Sequence, residues 1–239
     1  MRFKTAICGF LFGAIGCIMG NVAVCAEMPP GAYGNAGKIS VLSEEPRVFL
    51  IENFLTHQEC DHLIKRAKPL LKRSTVVSDQ MENGNVNALD DARTSKGMFL
   101  EKPTKDPILK RIEKRIAELT QLPEDNGEGM QILSYGLYAE YKPHYDFFDP
   151  DTPGGAACYN RGGQRLASLI IYLADTAEGG ETIFPYADVS VKPIKGNAVL
   201  FYNCTPDGTE DPLSLHGSAP VLSGEKWVAV KWLRQHKFY

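Results

Sequence analysis

The sequence predicts an α+β protein whose main body is a double-stranded β-helix (jelly-roll) supported by N-terminal helices. Three observations lead there. From Arg165 onward, short apolar runs alternate with turn residues: Arg165–Ala174, Glu181–Phe184, Val189–Pro193, Asn197–Asn203, Leu213–Ser218 and Trp227–Leu233, punctuated by Gly179-Gly180, Lys195-Gly196, Asp207-Gly208 and Ser223-Gly224. Strands at this spacing form a sandwich or barrel. Two segments with helical periodicity come earlier, and no repeat or low-complexity tract interrupts the order. The 239 residues are 44% hydrophobic with 26 basic and 29 acidic side chains, a composition that suits one globular unit and lacks the basic excess of a nucleic-acid binder.

Residues 1–26 stand apart. Arg2 and Lys4 precede an apolar run from Ala6 to Met19, and Val24-Cys25-Ala26 follows as a small-residue cleavage site. This is the pattern of a secretory signal peptide. The rival is an uncleaved anchor, but the run is short and Gly-rich against the roughly 20 apolar residues of a membrane span. Cleavage would leave three of the six cysteines, Cys60, Cys158 and Cys204, an odd number that leaves at least one unpaired within the chain. Residues 27–45 are read as a flexible lead-in, and 46–239 as the folded domain.

Arg47–Phe54 reads as a strand. Thr56 with Glu59 makes a capping box for the first helix, whose buried face is Leu63, Ile64 and Ala67. His57 and His62 are read as helix-surface residues. Ser74–Ser78 is a short strand, Asp79–Asp91 a polar loop able to act as a lid, and Arg93–Leu100 a returning strand. Asp106 caps a second helix with Pro107 at its first position and an apolar stripe of Ile108, Ile112, Ile116 and Leu119. Met130–Asp146 is read as one strand, and Phe147–Gln164 as a second long loop. Asn203-Cys204-Thr205 is a nominal glycosylation sequon, given low odds of occupancy at its strand end.

The chemistry gathers at the end of the Met130–Asp146 run. In a strand, i and i+2 share a face, so His144 and Asp146 are expected to present an imidazole and a carboxylate to one point. That pair is two-thirds of a 2-His-1-carboxylate site. His216, in a late strand, supplies the second imidazole. Lys226 follows across the Ser223-Gly224 turn, and hairpin pairing is expected to bring it near His216 as a point charge for a carboxylate. Three protein ligands leave positions open for a bidentate 2-oxo acid and O2.

Tyr141-Lys-Pro-His144-Tyr-Asp146, Gly163-Gln-Arg165, Gly179-Gly-Glu-Thr-Ile-Phe-Pro185, Lys226-Trp-Val-Ala-Val-Lys-Trp232 and Arg93-Thr-Ser-Lys-Gly-Met-Phe-Leu100 stand in the order in which prolyl 4-hydroxylase catalytic domains carry similar motifs. The chain resembles that family of Fe(II)/2-oxoglutarate dioxygenases from about Val48 to Leu233. The resemblance implies a procollagen-proline 4-dioxygenase-like enzyme using Fe(II), 2-oxoglutarate, O2 and ascorbate. His144, Asp146 and His216 would bind the metal. Lys226, Tyr135 and Thr182 would bind the cosubstrate. Tyr141, Arg165, Trp232 and Glu128 would line a groove for a proline-rich peptide, which holds polyproline II geometry at small ordering cost. Two departures stand out: Ala219 where many secretory relatives have cysteine, and Arg234 where some have histidine. The expected activity is hydroxylation of peptidyl proline to 4-hydroxyproline. The alternatives are hydroxylation of another protein or amino-acid target, or a non-catalytic binding module. The expected location is the secretory pathway, within the endoplasmic reticulum lumen, or else secreted or membrane-anchored; a membrane contact would need an uncleaved anchor.

Overall fold

The structure, a computed structural model, describes residues 37–82, 85–100 and 104–239, with backbone alone for 79–82 and 85–86. Residues 1–26 and most of the lead-in lie outside that range. In chain order the elements are β1 (Ile39–Ser43), β2 (Val48–Ile51), α1 (His57–Ala67), β3 (Lys72–Arg73), β4 (Val76–Glu82), β5 (Asn85–Ala88), β6 (Lys96–Phe99), α2 (Pro107–Thr120), β7 (Gln131–Tyr135), β8 (Tyr141–His144), α3 (Pro153–Tyr159), β9 (Arg165–Tyr172), β10 (Glu178–Gly179), β11 (Thr182–Phe184), β12 (Val189–Val191), β13 (Ala198–Tyr202), β14 (His216–Ser218), β15 (Val221–Ser223) and β16 (Lys226–Arg234). A major sheet runs β1-β2-β13-β9-β16-β7-β6-β3. A minor sheet runs β12-β11-β14-β8, and β4-β5 and β10-β15 form separate pairs.

The central strands of the major sheet, β7, β9, β13 and β16, are buried on both sides, and their two-residue period sorts the residues. In β16, Trp227, Ala229 and Leu233 join the cluster packed under the helices. Val228, Val230 and Trp232 join the cluster between the sheets. Lys226 has the parity of this second set, so the alternation carries it toward the interior of the jelly roll. In β13, Ala198 and Leu200 face the helices, while Val199 and Phe201 face inward.

Both helices start where the sequence puts them. Thr56 and Glu59 cap α1 reciprocally, and Asp106 accepts from the backbone of Ile108 and Leu109 with Pro107 at the first turn. His62 faces Asp106 at 2.6 Å, and Arg115 makes two hydrogen bonds to the Glu59 carboxylate, so α1 and α2 are tied together over the sheet. His57 is exposed.

Several expectations change. The lead-in expected over 27–45 contains β1, hydrogen-bonded to β2 at the edge of the major sheet. The Asp79–Asp91 loop holds most of the β4-β5 pair, which begins at Val76. The Phe147–Gln164 loop contains α3, capped by Thr152, whose hydroxyl accepts from Gly155 N. Glycines lower helix propensity and conceal this turn in the sequence. Gly155 is nevertheless required, since a Cβ there would lie 1.9 Å from Asp149 O. The Met130–Asp146 strand is two strands: β7 in the major sheet and β8 in the minor, joined through a turn with Tyr138 at φ +60°. No helix of the described residues is long and apolar enough to cross a membrane. Cys60, Cys158 and Cys204 are all free.

Candidate metal centre and its two cavities

Antiparallel pairing of β8 with β14 sets His144 directly opposite His216. Cross-strand partners of this kind have side chains within contact range, and the two rings lie 4.4 Å apart. Asp146 reaches the same point by another route than expected. It is not on the strand: β8 ends at His144, and the chain bends through Asp146. The bend leaves Asp146 Oδ1 3.7 Å from His144 Nε2 and Oδ2 3.6 Å from His216 Nε2. The three ligand atoms fall within 4.8 Å of one another.

The imidazoles are oriented from behind. Nδ1 of His144 donates to Lys142 O at 2.9 Å, and Nδ1 of His216 donates to Ser214 O at 3.0 Å. Each Nδ1 therefore carries the proton and each Nε2 lone pair faces the centre. Tyr141 stacks on His144 at 3.6 Å, and Phe201 packs against His216 at 4.3 Å. Burial, with His216 beside it, pushes His144 down to about 3. Burial also lowers His216. Burial alone would raise the Asp146 carboxyl, but His216, His144, Arg165 and the Ser168 hydroxyl together hold it well below the usual carboxylate range. Near neutrality the site is two neutral imidazoles and one carboxylate with no thiolate. This donor set fits Fe(II).

Two cavities meet at this centre and share Arg93, Tyr141, His144, Asp146 and Trp232. The inner one reaches back between the sheets to Lys226, Tyr135, Thr182 and Ser218. Lys226 does not approach His216 by a hairpin. It lies on β16 opposite Tyr135 of β7 in the major sheet, whereas His216 belongs to the minor sheet, and the two meet across the interior. Its ammonium is buried, donates to Ser218 Oγ at 2.7 Å and lies 5.2 Å from the Tyr135 ring centre. Burial pushes Lys226 down to about 7 against the opposing pull of Glu181. Thr182 Oγ1 accepts from Tyr172. The Gly179-Gly180 turn passes close by: both residues have positive φ, and a Cβ on Gly180 would lie 3.3 Å from the Lys226 stem.

The outer cavity is a groove of about 440 Å³ between the β4-β5 pair and the segment around α3. Tyr141, Arg165 and Trp232 form its floor, with Phe99, Phe147 and Phe148 along it. The Arg165 guanidinium lies 4.0 Å over the Trp232 ring. Glu128, expected in the groove, lies behind it. Its buried carboxylate accepts from Arg165 Nε at 2.7 Å and from Arg234 Nη1 at 2.9 Å. Burial would raise Glu128, but the two arginines lower it. Arg234 is 1% exposed and turned away from the groove.

Three side chains at the site were given no role by sequence reasoning. Arg93 lies 4.8 Å from the Tyr141 ring and donates to Gln131 Oε1, facing both cavities. Phe99 sits at the groove 6.4 Å from Trp232. Ser168 donates to Asp146. Arg93 and Phe99 belong to a motif quoted for the resemblance, and their residue types gave no further signal. Ser168 had none.

A jelly roll with two histidines and a carboxylate at its mouth, beside an inner cavity ending in a buried lysine, defines the class of non-haem metal oxygenases. Residues 130–234 match the 2OG-Fe(II) oxygenase superfamily. The chain is 39% identical to Prolyl 4-hydroxylase 2 of Arabidopsis thaliana over 95% of its length and 80% of the relative's. It is 45% identical to Prolyl 4-hydroxylase 1 of the same plant, covering 83% and 72%. The fold superimposes on the viral collagen prolyl hydroxylase of Paramecium Bursaria Chlorella virus-1, solved as a 2OG complex, with a TM-score of 0.61, 29% identity and coverage of 78% and 95%. The chain belongs to the prolyl 4-hydroxylase family of that superfamily, and its cofactor and cosubstrate are Fe(II) and 2-oxoglutarate.

Proposed function

We propose that this protein hydroxylates peptidyl proline at C4, coupled to decarboxylation of 2-oxoglutarate to succinate and CO2. The observation that carries this reading is the pair of cavities sharing one wall at the triad: one suited to a small dicarboxylate, the other to an extended peptide. His144, Asp146 and His216 would hold Fe(II), which when bound supplies the activation of O2 that the organic side chains lack. Lys226 would pair with the distal carboxylate of 2-oxoglutarate, held in line by Ser218, with Tyr135 and Thr182 as hydrogen-bonding neighbours. Arg165 and the faces of Tyr141 and Trp232 would seat the peptide so that one proline ring lies against the triad. Such faces suit a polyproline II chain, which lacks many backbone donors and offers carbonyls to a guanidinium. The structural relatives include a prolyl hydroxylase captured with a peptide fragment, which at 15% identity supports the fold alone. Ascorbate as a reductant, and entry to the secretory pathway through residues 1–26, complete the proposal.

A panel of poly-proline, Pro-Pro-Gly repeat, Ser-Pro repeat and free proline tests it, scored by succinate release and by the position of the new hydroxyl. Repeats should be hydroxylated at C4 and free proline hardly at all. Preference for free proline, or a C3 product, would overturn the substrate and leave the iron site standing.

A further inference from the structure

Asp146 has two oxygens of like chemistry, so its surroundings must decide which one meets the metal. A carboxylate oxygen accepts about two hydrogen bonds, one at each lone pair. Oδ2 receives Ser168 Oγ at 2.7 Å and Trp232 Nε1 at 2.9 Å. Both its lone pairs are engaged. Oδ1 has no hydrogen bond among the described residues; it faces His144 Nε2 at 3.7 Å and Arg165 Nη1 at 3.9 Å, while Oδ2 faces His216 Nε2 at 3.6 Å, so the hydrogen bonds and not the distances distinguish the two oxygens.

Ser168 is itself held. It is 0% exposed, in the middle of β9, and its Oγ lies 3.0 Å from Nδ2 of Asn203, also 0% exposed. Asn203 lies just past the end of β13 with its side chain fully buried against Ser168, which leaves no room for a glycan on it in the folded chain. A hydroxyl carries one proton, and an ionised carboxylate can only accept. The Ser168 proton therefore goes to Asp146, and the Asn203 side-chain amide N–H donates to the lone pair that Ser168 leaves behind. We propose that Asn203 and Ser168 form a positioning relay which, with the Trp232 indole, keeps Oδ2 off the metal and presents Oδ1 as the single ligand oxygen of Asp146. A one-oxygen carboxylate preserves the open positions that cosubstrate and O2 require. This rests on the triad being the metal site. It adds two buried residues with no substrate contact to the groups that set metal affinity, and it makes Trp232 a link between peptide groove and metal ligand.

The test is Mn(II) titration of the full chain without cosubstrate, together with the absorption spectrum of the Co(II) form. Removing a group that orients a ligand costs about 10- to 100-fold in metal affinity. Ser168→Ala should show a loss of that order and an altered Co(II) spectrum as the second oxygen is released. Ser168→Thr, which keeps the hydroxyl and suits a strand, should restore both. Asn203→Ala should give a smaller loss, because the hydroxyl remains but is free to rotate. Trp232→Phe removes the second donor while keeping an aromatic face under Arg165, and should add to the loss. Melting of the metal-free variants separates packing damage from ligand orientation. Wild-type Mn(II) affinity and spectrum in Ser168→Ala would overturn the relay. If that variant does not fold, wild-type affinity in both Asn203→Ala and Trp232→Phe would overturn it equally. Failure of the unmodified chain to bind Mn(II) would overturn the metal reading, and the relay with it.

Discussion

The inner and outer cavities share a wall at the metal but are built by different means. Around the inner one, Tyr135, Thr182, His216, Ser218 and Lys226 are all buried and sit within β7, β11, β14 and β16. Hydrogen-bonded strands hold each Cα, and neighbours fill each rotamer. The outer groove uses strand ends and connecting segments, and its Phe99 is 55% exposed. A small fixed dicarboxylate is best met by groups already in place, because no ordering cost then falls on binding. A peptide of variable sequence is met by faces at a rim, supported by segments that can adjust. Two groove residues break the division: Trp232 and Arg165 also face Asp146, so the groove floor is part of the metal's support.

The largest effect should come from the shared wall. His144→Ala, Asp146→Ala or His216→Ala should each reduce succinate formation to background and empty the protein of iron by elemental analysis. Near-normal turnover in any of them would falsify the triad.

Next comes the inner cavity. Lys226→Ala removes a charge-assisted contact of about 1.5–3 kcal/mol, so the 2-oxoglutarate requirement should rise about ten- to a hundredfold. The peptide requirement should hardly move. Equal effects on both would show that the cavities are not separable in this way.

The groove should respond more mildly. Phe99→Ala deletes a rim aromatic worth about 1 kcal/mol, a roughly fivefold loss in peptide affinity with 2-oxoglutarate binding unchanged. Arg165→Ala should behave differently, altering metal affinity as well as peptide turnover. If both variants affect the peptide alone, the link from groove floor to Asp146 is absent.

The smallest effect is in pH. Lys226 falls from its ordinary 10.5 to about 7 by burial. The bound dicarboxylate needs the ammonium form, so 2-oxoglutarate affinity should fall as pH rises above about 7, by at most tenfold per unit. For the cosubstrate-free protein the stability sign is opposite to that of a salt-bridged lysine. A lowered lysine leaves stability full above about 10.5 and declining as pH falls toward 7, because the unfolded chain takes the proton first. Lys226→Arg should flatten the binding profile, since a guanidinium stays charged throughout. A Lys226 profile as flat as that variant's would contradict the burial argument.

The sequence by itself determined the elements whose physics is local. Capping at Thr56 and Asp106, the stripes of α1 and α2, and the strand over Trp227–Leu233 depend on neighbours within a few residues, and the structure keeps them. It also determined the residue types of the triad, because His144 and Asp146 lie close in the chain and few chemistries use that pair beside a distant histidine. Tertiary structure decided what depends on long-range pairing. The β8-β14 register put His216 opposite His144. The split of Met130–Asp146 between two sheets set Lys226 across the interior from His216. Burial turned Glu128 from a groove candidate into the partner of Arg165 and Arg234. Ser168 gave no signal and Asn203 only its glycosylation sequon, for a serine and an asparagine in apolar runs acquire meaning only when the fold sets the Asn203 amide against the Ser168 hydroxyl and that hydroxyl against one oxygen of Asp146.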